Sequence, residues 1–172
     1  MRHLTRVDYR TMPWANGKGT TVELLRVDGP QGLLWRLSMA SVVENGPFSM
    51  LPGIDRNLTV ITGPGFRLNG PGVDLTCAPL VPVAFPGDVA VTALRVTAPS
   101  DDFNVMTDRV LPHPTVTVER DASLPAGCTL ALFALADAMI NGTAIARHDL
   151  ILTEGAAQIT GGPIIAVRLC GL

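Results

Sequence analysis

Charge is sparse in this sequence of 172 residues, and its single lysine is Lys18. Charged residues make up 16% of the chain, whereas an average globular domain has roughly 25%. The 13 Lys and Arg residues are offset by 15 Asp and Glu residues, which gives a formal net charge of −2. Because binding to nucleic acid depends on neutralising phosphates with a basic surface, this balance argues against a nucleic-acid partner.

Cysteine is also scarce. Cys77, Cys128 and Cys170 lie far apart, are odd in number and form no C-x-x-C pair. This spacing predicts reduced thiols, with neither a disulfide framework nor a cysteine-based zinc site. The first residues of the chain carry charges where a secretory signal would need an apolar core, so we expect a cytoplasmic protein.

The sequence has neither metal-binding motifs nor long apolar runs. Its histidines, His3, His113 and His148, have no H-x-H or H-x-x-x-H spacing, so we expect no metal and no cofactor. The G-x-S-x-G motif of a serine nucleophile is missing, and covalent catalysis therefore has little support. The most apolar run, residues 128–136, is too short to cross a bilayer, so no membrane partner is expected.

Glycine and proline are abundant, with 17 and 14 residues, and they recur as turn signals along the chain. The segments between these turns are rich in Val, Thr, Leu and Ile, which predicts an all-β sandwich or barrel. These segments are 20–27, 33–43, 57–62, 91–97, 114–119, 129–135, 149–153 and 164–169. A short helix is the alternative for the apolar run beginning at residue 130, where a strand is favoured.

The turn after Trp14 is the first candidate binding feature. Residues 14–21 read Trp-Ala-Asn-Gly-Lys-Gly-Thr-Thr, which lacks the spacing and the following helix of a phosphate-binding loop. The turn would present Asn16 and backbone N–H groups beside the aromatic wall of Trp14. The alternative is a turn that only leads into a strand.

Asp55 and Arg56 are adjacent at the start of a predicted strand, where successive side chains point to opposite faces. One of them can therefore point into a barrel while the other points out. An inward Arg56 has the planar fork of donors that best grips a ligand carboxylate. The alternative is a structural ion pair beside a turn.

Residues 101–107, Asp-Asp-Phe-Asn-Val-Met-Thr, place Asp102, Asn104 and Met106 on one face if the segment is extended. Asn104 and Met106 would then offer an amide and a soft apolar group as one wall of a small-molecule site. We interpret Asp101 and Asp102 as turn residues rather than as a catalytic pair, because neighbours in a strand point apart.

Several of these segments, taken together and in order, resemble the HutD/Ves family. The matching pieces are Pro13-Trp14-x-Asn16-Gly17-x-Gly19-x-Thr21, Trp35-Arg36-Leu37-Ser38, Gly46-Pro47-Phe48-Ser49, Pro52-Gly53-Ile54-Asp55-Arg56, Phe85-x-Gly87-Asp88 and Asp102-Phe103-Asn104-x-Met106-Thr107. Lys18 departs from the pattern, since the family usually has a third consecutive glycine there. Arg109 matches the family's basic pair, whereas the residues around it differ.

The resemblance implies a bicupin: two cupin-like, RmlC-like jelly-roll β-barrel halves packed as one body, with approximate halves 1–110 and 111–172. It also implies that no catalytic metal is present. The HutD branch is associated with bacterial histidine utilisation. The function proposed for that branch is to bind a histidine-degradation intermediate, such as formylglutamate or formiminoglutamate, and so to limit flux or regulate the pathway.

We therefore expect a metal-independent protein that binds a small-molecule carboxylate and regulates or limits histidine utilisation. A binding site for formylglutamate would need one arginine per carboxylate, an amide partner and an aromatic or apolar wall. The predicted ligand-binding residues are Trp14, Asn16, Arg36, Phe48, Asp55, Arg56, Asn104 and Met106.

Two other functions stay open. The first is a cofactor-free enzyme, an isomerase or hydrolase of a small polar acid, with Asp55 or Asp88 as general base. The second is a structural or partner-binding β-protein in which the motifs only hold turns. A homodimer formed through exposed edge strands is also open, as is the choice between the HutD and Ves branches.

Overall fold

The computed structural model describes residues 1–14 and 19–171, and it confirms the predicted all-β class. A short 3-10 helix spans Arg6–Asp8, and no helix in the described residues has the length and apolar character to cross a membrane. The strands up to residue 110 are β1 (Arg2–Leu4), β2 (Arg10–Pro13), β3 (Thr20–Gly29), β4 (Gly32–Val42), β5 (Gly46–Pro47), β6 (Ile54–Thr62), β7 (Phe66–Gly70), β8 (Val73–Cys77), β9 (Val83–Pro86), β10 (Thr92–Leu94) and β11 (Ser100–Asp108). The later strands are β12 (Thr115–Glu119), β13 (Ser123–Leu124), β14 (Thr129–Ala134), β15 (Ala138–Ile140), β16 (Thr143–Ile145), β17 (Leu150–Thr153), β18 (Ala157–Gly161) and β19 (Ile164–Leu169).

The chain divides into two compact units. The larger unit is Arg10–Val110, and the smaller unit combines Met1–Tyr9 with the chain from Leu111 onward. The resemblance puts residues 1–110 in one half, whereas the structure places the first nine residues with the other half. The reason is that β1 pairs with β17 rather than with a strand of the larger unit.

The larger unit consists of two antiparallel sheets around a shared core. One sheet has the strand order β2-β3-β4-β11-β6-β9, and the other has the order β5-β10-β7-β8. Each buried aliphatic or aromatic side chain contributes about 1.5–3 kcal/mol relative to an exposed one. The core residues from the two sheets and their connections are Val42, Leu58, Val60, Phe66, Leu68, Val73, Cys77, Phe85, Val91 and Ala93.

The smaller unit repeats this arrangement with sheets of order β1-β17-β14-β19-β12 and β13-β18-β15-β16. The apolar run from residue 130 is a strand, as predicted. Both of its faces are buried, which explains why the run is continuously apolar instead of alternating. The core side chains of this unit are Leu130, Leu132, Ala134, Ile140, Ile145, Ile151, Ala157, Ile159, Ile164 and Ala166.

Polar contacts fix the N-terminal strand to the edge of this sheet. His3 Nε2 lies 2.7 Å from Asp149 Oδ2, just beyond the ladder that joins β1 to β17. Tyr9 Oη donates a hydrogen bond to the His148 carbonyl oxygen at 2.7 Å. Burial raises the pKa of the Tyr9 hydroxyl, and the nearby Asp149 carboxylate adds to that effect. Tyr9 therefore stays neutral and keeps this donor at physiological pH.

A disulfide joins Cys128 to Cys170, so the prediction of reduced thiols throughout is wrong. Thr129 and Leu169 are partners in the ladder between β14 and β19, and the two cysteines flank this pair. Their Cα atoms are 4.7 Å apart as a result. Spacing along the chain carries no information on strand register, which is why the pairing was not visible in the sequence. Cys77 is a buried free thiol.

Removing the disulfide should destabilise the protein, because it restores conformational freedom to a loop of 42 residues in the unfolded chain. The chain-entropy model puts this loss at about 4 kcal/mol. The measurement is urea unfolding of the wild type with and without reductant, beside the Cys128→Ser/Cys170→Ser variant. Reductant should lower the stability of the wild type and leave that of the variant unchanged. A wild type that yields three reactive thiols when denatured without reductant would contradict the disulfide.

A candidate ligand-binding cavity

Three neighbouring strands of the larger unit, β4, β11 and β6, present alternate side chains to one face. Directly paired residues of antiparallel strands share a face, so the register decides which side chains meet. Met106 pairs with Arg36 on one side and with Arg56 on the other. Asn104 pairs with Ser38 in the next row of that face. The register thus sets two arginines around Met106, with an amide and a hydroxyl beside them.

Asp102 completes this face one row further along β11. It pairs with Ala40, which in turn pairs with Thr21 on β3. The segment between β4 and β6 covers this face, since it contributes Pro47, Phe48, Ser49 and Leu51 to the lining of a cavity. The Phe48 amide donates to the Val91 carbonyl oxygen at 2.9 Å. The sheet and the covering segment together line this cavity.

The cavity has a volume of about 470 Å³, within the range of roughly 300–1,000 Å³ that is usual for small-molecule sites. Its lining combines an apolar wall with a group of polar side chains. The apolar lining residues are Trp14, Ala40, Val42, Pro47, Phe48, Leu51 and Met106, and the polar ones are Thr21, Arg36, Ser38, Ser49, Arg56, Asp102 and Asn104.

Arg56 is the most buried cation of the cavity, with 7% of its surface exposed. Its Cζ atom lies 5.2 Å from the ring centroid of Phe48 and 5.1 Å from that of Phe85, distances typical of cation–π contacts. Its Nη2 donates to Asn104 Oδ1 at 3.1 Å, and its Nη1 donates to the Ser49 carbonyl oxygen at 3.3 Å. These contacts hold the guanidinium in one orientation.

The charge of Arg56 persists although water is largely excluded. Burial lowers the pKa of its guanidinium to about 10, while the carboxyl of Asp102 acts in the opposite direction and Arg36 lowers it further. Arg56 is therefore a cation at neutral pH. Of its donors, Nε is buried and has no hydrogen-bond partner within the described residues. An anionic group in the cavity would be stabilised by the charge of this guanidinium.

Arg36 and Trp14 are also held by neighbours in the larger unit. Arg36 Nε lies 2.7 Å from Glu23 Oε2, and both side chains are mostly buried. Glu23 therefore offsets much of the charge of Arg36. Trp14 Nε1 donates to Thr21 Oγ1 at 2.9 Å, which fixes the indole ring at the wall of the cavity.

Asp102 is the acidic member of the lining and is 1% exposed. Asn104 Nδ2 donates a hydrogen bond to Asp102 Oδ1, while Asn104 Oδ1 accepts one from Arg56. Burial raises the pKa of the Asp102 carboxyl to about 7. The Asn104 hydrogen bond and Arg56 lower it, and Asp101 raises it further. The cavity therefore contains a carboxyl group that changes protonation near neutral pH.

Most of the residues predicted for the site line the cavity: Trp14, Arg36, Phe48, Arg56, Asn104 and Met106. Asn16 lies outside the described residues. Asp55 does not line the cavity, because it precedes Arg56 in β6 and so points to the opposite face. The expected alternation between Asp55 and Arg56 is present, with the arginine facing inward.

Asp55 and Asp88 belong instead to an ion-pair network centred on Arg109. Arg109 Nε lies 3.0 Å from Asp55 Oδ1, and Arg109 Nη1 lies 2.8 Å from Asp88 Oδ2. The hydrogen bonds from Arg109 hold the pKa of Asp88 below its usual range. Neither carboxylate lines the cavity, so the structure gives no support to either as a general base.

The interpretation of Asp101 and Asp102 as turn residues is wrong. Both lie within β11, where a register shift against β6 falls between them. Asp101 accepts hydrogen bonds from Ser41 and Thr62, whereas Asp102 faces the cavity. Two consecutive aspartates are typical of turns, and that pattern obscured the position of Asp102 two residues before Asn104, on the same strand face.

The polar lining residues that the sequence prediction missed are Thr21, Ser38, Ser49 and Asp102. Ser38 stands two residues after Arg36 in β4, so strand alternation alone places the two on one face. Thr21 had no comparable signal, because its position depends on the pairing of β3 with β4. Across residues 1–14 and 19–171, no group of three or more His, Cys, Asp or Glu side chains is arranged to hold a metal ion.

The fold defines the class of protein, a cupin-like all-β protein with a cavity in its larger unit. A cupin 2 conserved barrel domain protein from Leptotrichia buccalis has this fold, with a TM-score of 0.56, 8% identity and 92% of each chain covered. The chain belongs to the HutD family, whose sequence model matches residues 6–163. The resemblance drawn from the motifs is thereby confirmed.

Two relatives describe the family more closely. HutD from Pseudomonas fluorescens SBW25, in a formate condition, has a TM-score of 0.88 and 30% identity, covering 98% of this chain and 97% of that one. An uncharacterised 21.2 kDa protein in the hutC 3′ region of Pseudomonas putida is 39% identical over 104 residues. That match covers 58% of this chain and 54% of the relative, so the chain spans about half of the relative's length there.

The raised pKa of Asp102 should make stability fall as pH rises from about 4 to about 7. In this window the folded protein keeps a proton on Asp102 that the unfolded chain has released, so raising the pH favours unfolding. Asp102→Asn removes this contribution, which amounts to about 1.4 kcal/mol per pH unit while the two states differ fully in protonation. The measurement is urea unfolding of both proteins at several pH values.

Asp101→Asn is the matched control, since it removes the neighbouring carboxylate on the other strand face. It should keep the contribution that Asp102 makes to the pH dependence. Equal slopes for the wild type and Asp102→Asn would show that Asp102 does not titrate in this range.

Proposed function

We propose that this protein binds a small carboxylate in the cavity of its larger unit and thereby regulates or limits histidine utilisation. The observation that carries the proposal is Arg56, a buried cation that lines the cavity and is held in one orientation by Phe48, Phe85 and Asn104. A buried guanidinium loses much of its hydration, so an anionic ligand that accepts its hydrogen bonds is strongly favoured.

The rest of the lining supports a ligand with more than one polar group. Arg36 offers a second guanidinium in the same row as Arg56, and Asn104 offers an amide beside it. Trp14 and Phe48 supply aromatic walls. Formylglutamate and formiminoglutamate each combine two carboxylates with a short nitrogen-containing end, which suits such a set.

The similar proteins support a role in histidine utilisation. One relative comes from a hutC 3′ region, and a solved HutD structure is described in a formate condition. Formate is the simplest carboxylate and corresponds to one carboxylate group of the proposed ligand. It can therefore be used to test whether a carboxylate binds next to Arg56. The proposed ligand is therefore a histidine-degradation intermediate, with formylglutamate as the first choice.

Asp102 supports a second function, a cofactor-free enzyme that acts on a small polar acid. A buried carboxyl whose pKa is about 7 is suited to general acid–base catalysis at neutral pH. It takes the place of Asp55 and Asp88, the bases predicted from the sequence. Incubation of formylglutamate with the protein, followed by proton NMR, distinguishes the two functions, because a binding protein leaves the spectrum unchanged.

The test of the proposed function is calorimetric titration with formylglutamate, formiminoglutamate, urocanate, glutamate and formate. We expect formylglutamate to bind and Arg56→Ala to weaken binding by about 2 kcal/mol, roughly thirtyfold in Kd. Arg56→Lys should recover only part of this loss, because an ammonium group lacks the planar fork.

Arg67→Ala is the matched control variant. Arg67 is a partly exposed arginine of the same unit that pairs with Asp74 and does not line the cavity, so its loss should leave Kd unchanged. Equal affinity of the wild type and Arg56→Ala for formylglutamate would remove Arg56 from the site. Failure of every acid in the panel to bind would overturn the proposed function.

Location and assembly are part of the same proposal. We propose a cytoplasmic location, although the Cys128–Cys170 disulfide is typical of oxidising compartments. Cell fractionation measures the location, and a thiol-trapping reagent in the same experiment shows whether the disulfide is formed. A homodimer stays a prediction, and light scattering of the purified protein measures it directly.

A further inference from the structure

Asp102 is an unusual residue to find in a cavity for an anion, since its charge would oppose that of the ligand. Asn104 links Arg56 to Asp102, because Arg56 donates a hydrogen bond to Asn104 and Asn104 donates one to Asp102. These two hydrogen bonds also fix the Asn104 amide, with its oxygen toward Arg56 and its nitrogen toward Asp102.

We propose that Asp102 acts as a carboxylic acid when the ligand is bound, so that the cavity takes up one proton with an anionic ligand and selects a ligand group that accepts a hydrogen bond. This inference rests on the proposed function. Asp102 is then the specificity-determining residue of the site. The preferred ligand is an acid with a carbonyl or a second carboxylate oxygen near Asp102. A ligand with a cationic nitrogen in that position is the class that the site would disfavour.

The surroundings of Asp102 favour the protonated form once a ligand is present. Among residues 1–14 and 19–171, the charged and titratable groups around it are Arg56 on β6, Arg36 on β4 with its partner Glu23 on β3, Cys77 on β8 and Asp101 on the other face of β11. Burial, reinforced by Asp102, raises the pKa of the Cys77 thiol to about 12, so Cys77 adds no charge at neutral pH. Arg36 is largely offset by Glu23.

Within the part of the chain that the structure describes, Arg56 therefore provides most of the uncompensated positive charge near Asp102. An anionic ligand would neutralise that charge. The ligand would also displace water from the cavity, which makes two neighbouring carboxylates costly when both are ionised. Holding a proton between them removes this repulsion and converts Asp102 into a donor.

The test is calorimetric titration of the wild-type protein with formylglutamate from about pH 6 to about pH 9, in buffers of different ionisation enthalpy. Both carboxylates of this probe are ionised throughout, since such groups have a pKa of about 4. We expect uptake of close to one proton per ligand near pH 8 and a Kd that rises by up to about tenfold per pH unit above the pKa of free Asp102.

Asp102→Asn should bind formylglutamate with a Kd that is nearly independent of pH and with no proton uptake, because its amide nitrogen is a permanent donor. Asp101→Asn, the matched control, should retain the uptake seen in the wild type. Formiminoglutamate, with its cationic end, should bind more weakly than formylglutamate at pH 6, where Asp102 is protonated.

The outcomes separate this inference from the function on which it rests. Binding of formylglutamate without proton uptake, or uptake that persists in Asp102→Asn, overturns the inference and leaves the proposed function intact. Tighter binding of formiminoglutamate with an affinity that grows with pH does the same. Absence of binding at every pH overturns the proposed function, and the inference with it.

Discussion

The burial of one guanidinium is the constraint on which the cavity depends. A charge as enclosed as that of Arg56 is tolerated only where polar partners and polarisable rings replace its lost water. Phe48 and Phe85 supply the rings, and Asn104 supplies a side-chain oxygen. These groups come from three different places in the larger unit, so the sheet, its edge strand and the covering segment must all be in place for Arg56 to be accommodated.

Strand alternation made much of this arrangement predictable. The segments rich in Val, Thr, Leu and Ile correspond closely to observed strands, as in Ile164–Leu169, which was predicted with the same bounds. The spacing of Asn104 and Met106 placed them on one face, and the adjacency of Asp55 and Arg56 required that they separate. Such relations within a single strand are set by backbone geometry and do not depend on the rest of the fold.

Relations between strands could not be obtained in the same way. The Cys128–Cys170 disulfide depends on the register of β14 against β19, and the position of Thr21 depends on that of β3 against β4. Asp102 is a different case. Strand alternation placed it correctly on the face of Asn104 and Met106, but two consecutive aspartates are typical of turns, and Asp101 and Asp102 were therefore wrongly interpreted as turn residues. The burial of Asp102, which gives it an altered acidity, appears only when the cavity is assembled.

The N-terminal strand has a consequence for the order in which the protein is made. Residues 10–110 form a continuous stretch of chain whose sheets are complete before the second half is synthesised. In contrast, β1 precedes this stretch and pairs with β17, about 150 residues later in the chain. Domains generally fold as units from the N-terminus during synthesis. On the ribosome, the cavity-bearing unit can therefore fold before β17 has been synthesised, whereas β1 stays without its partner strand until then.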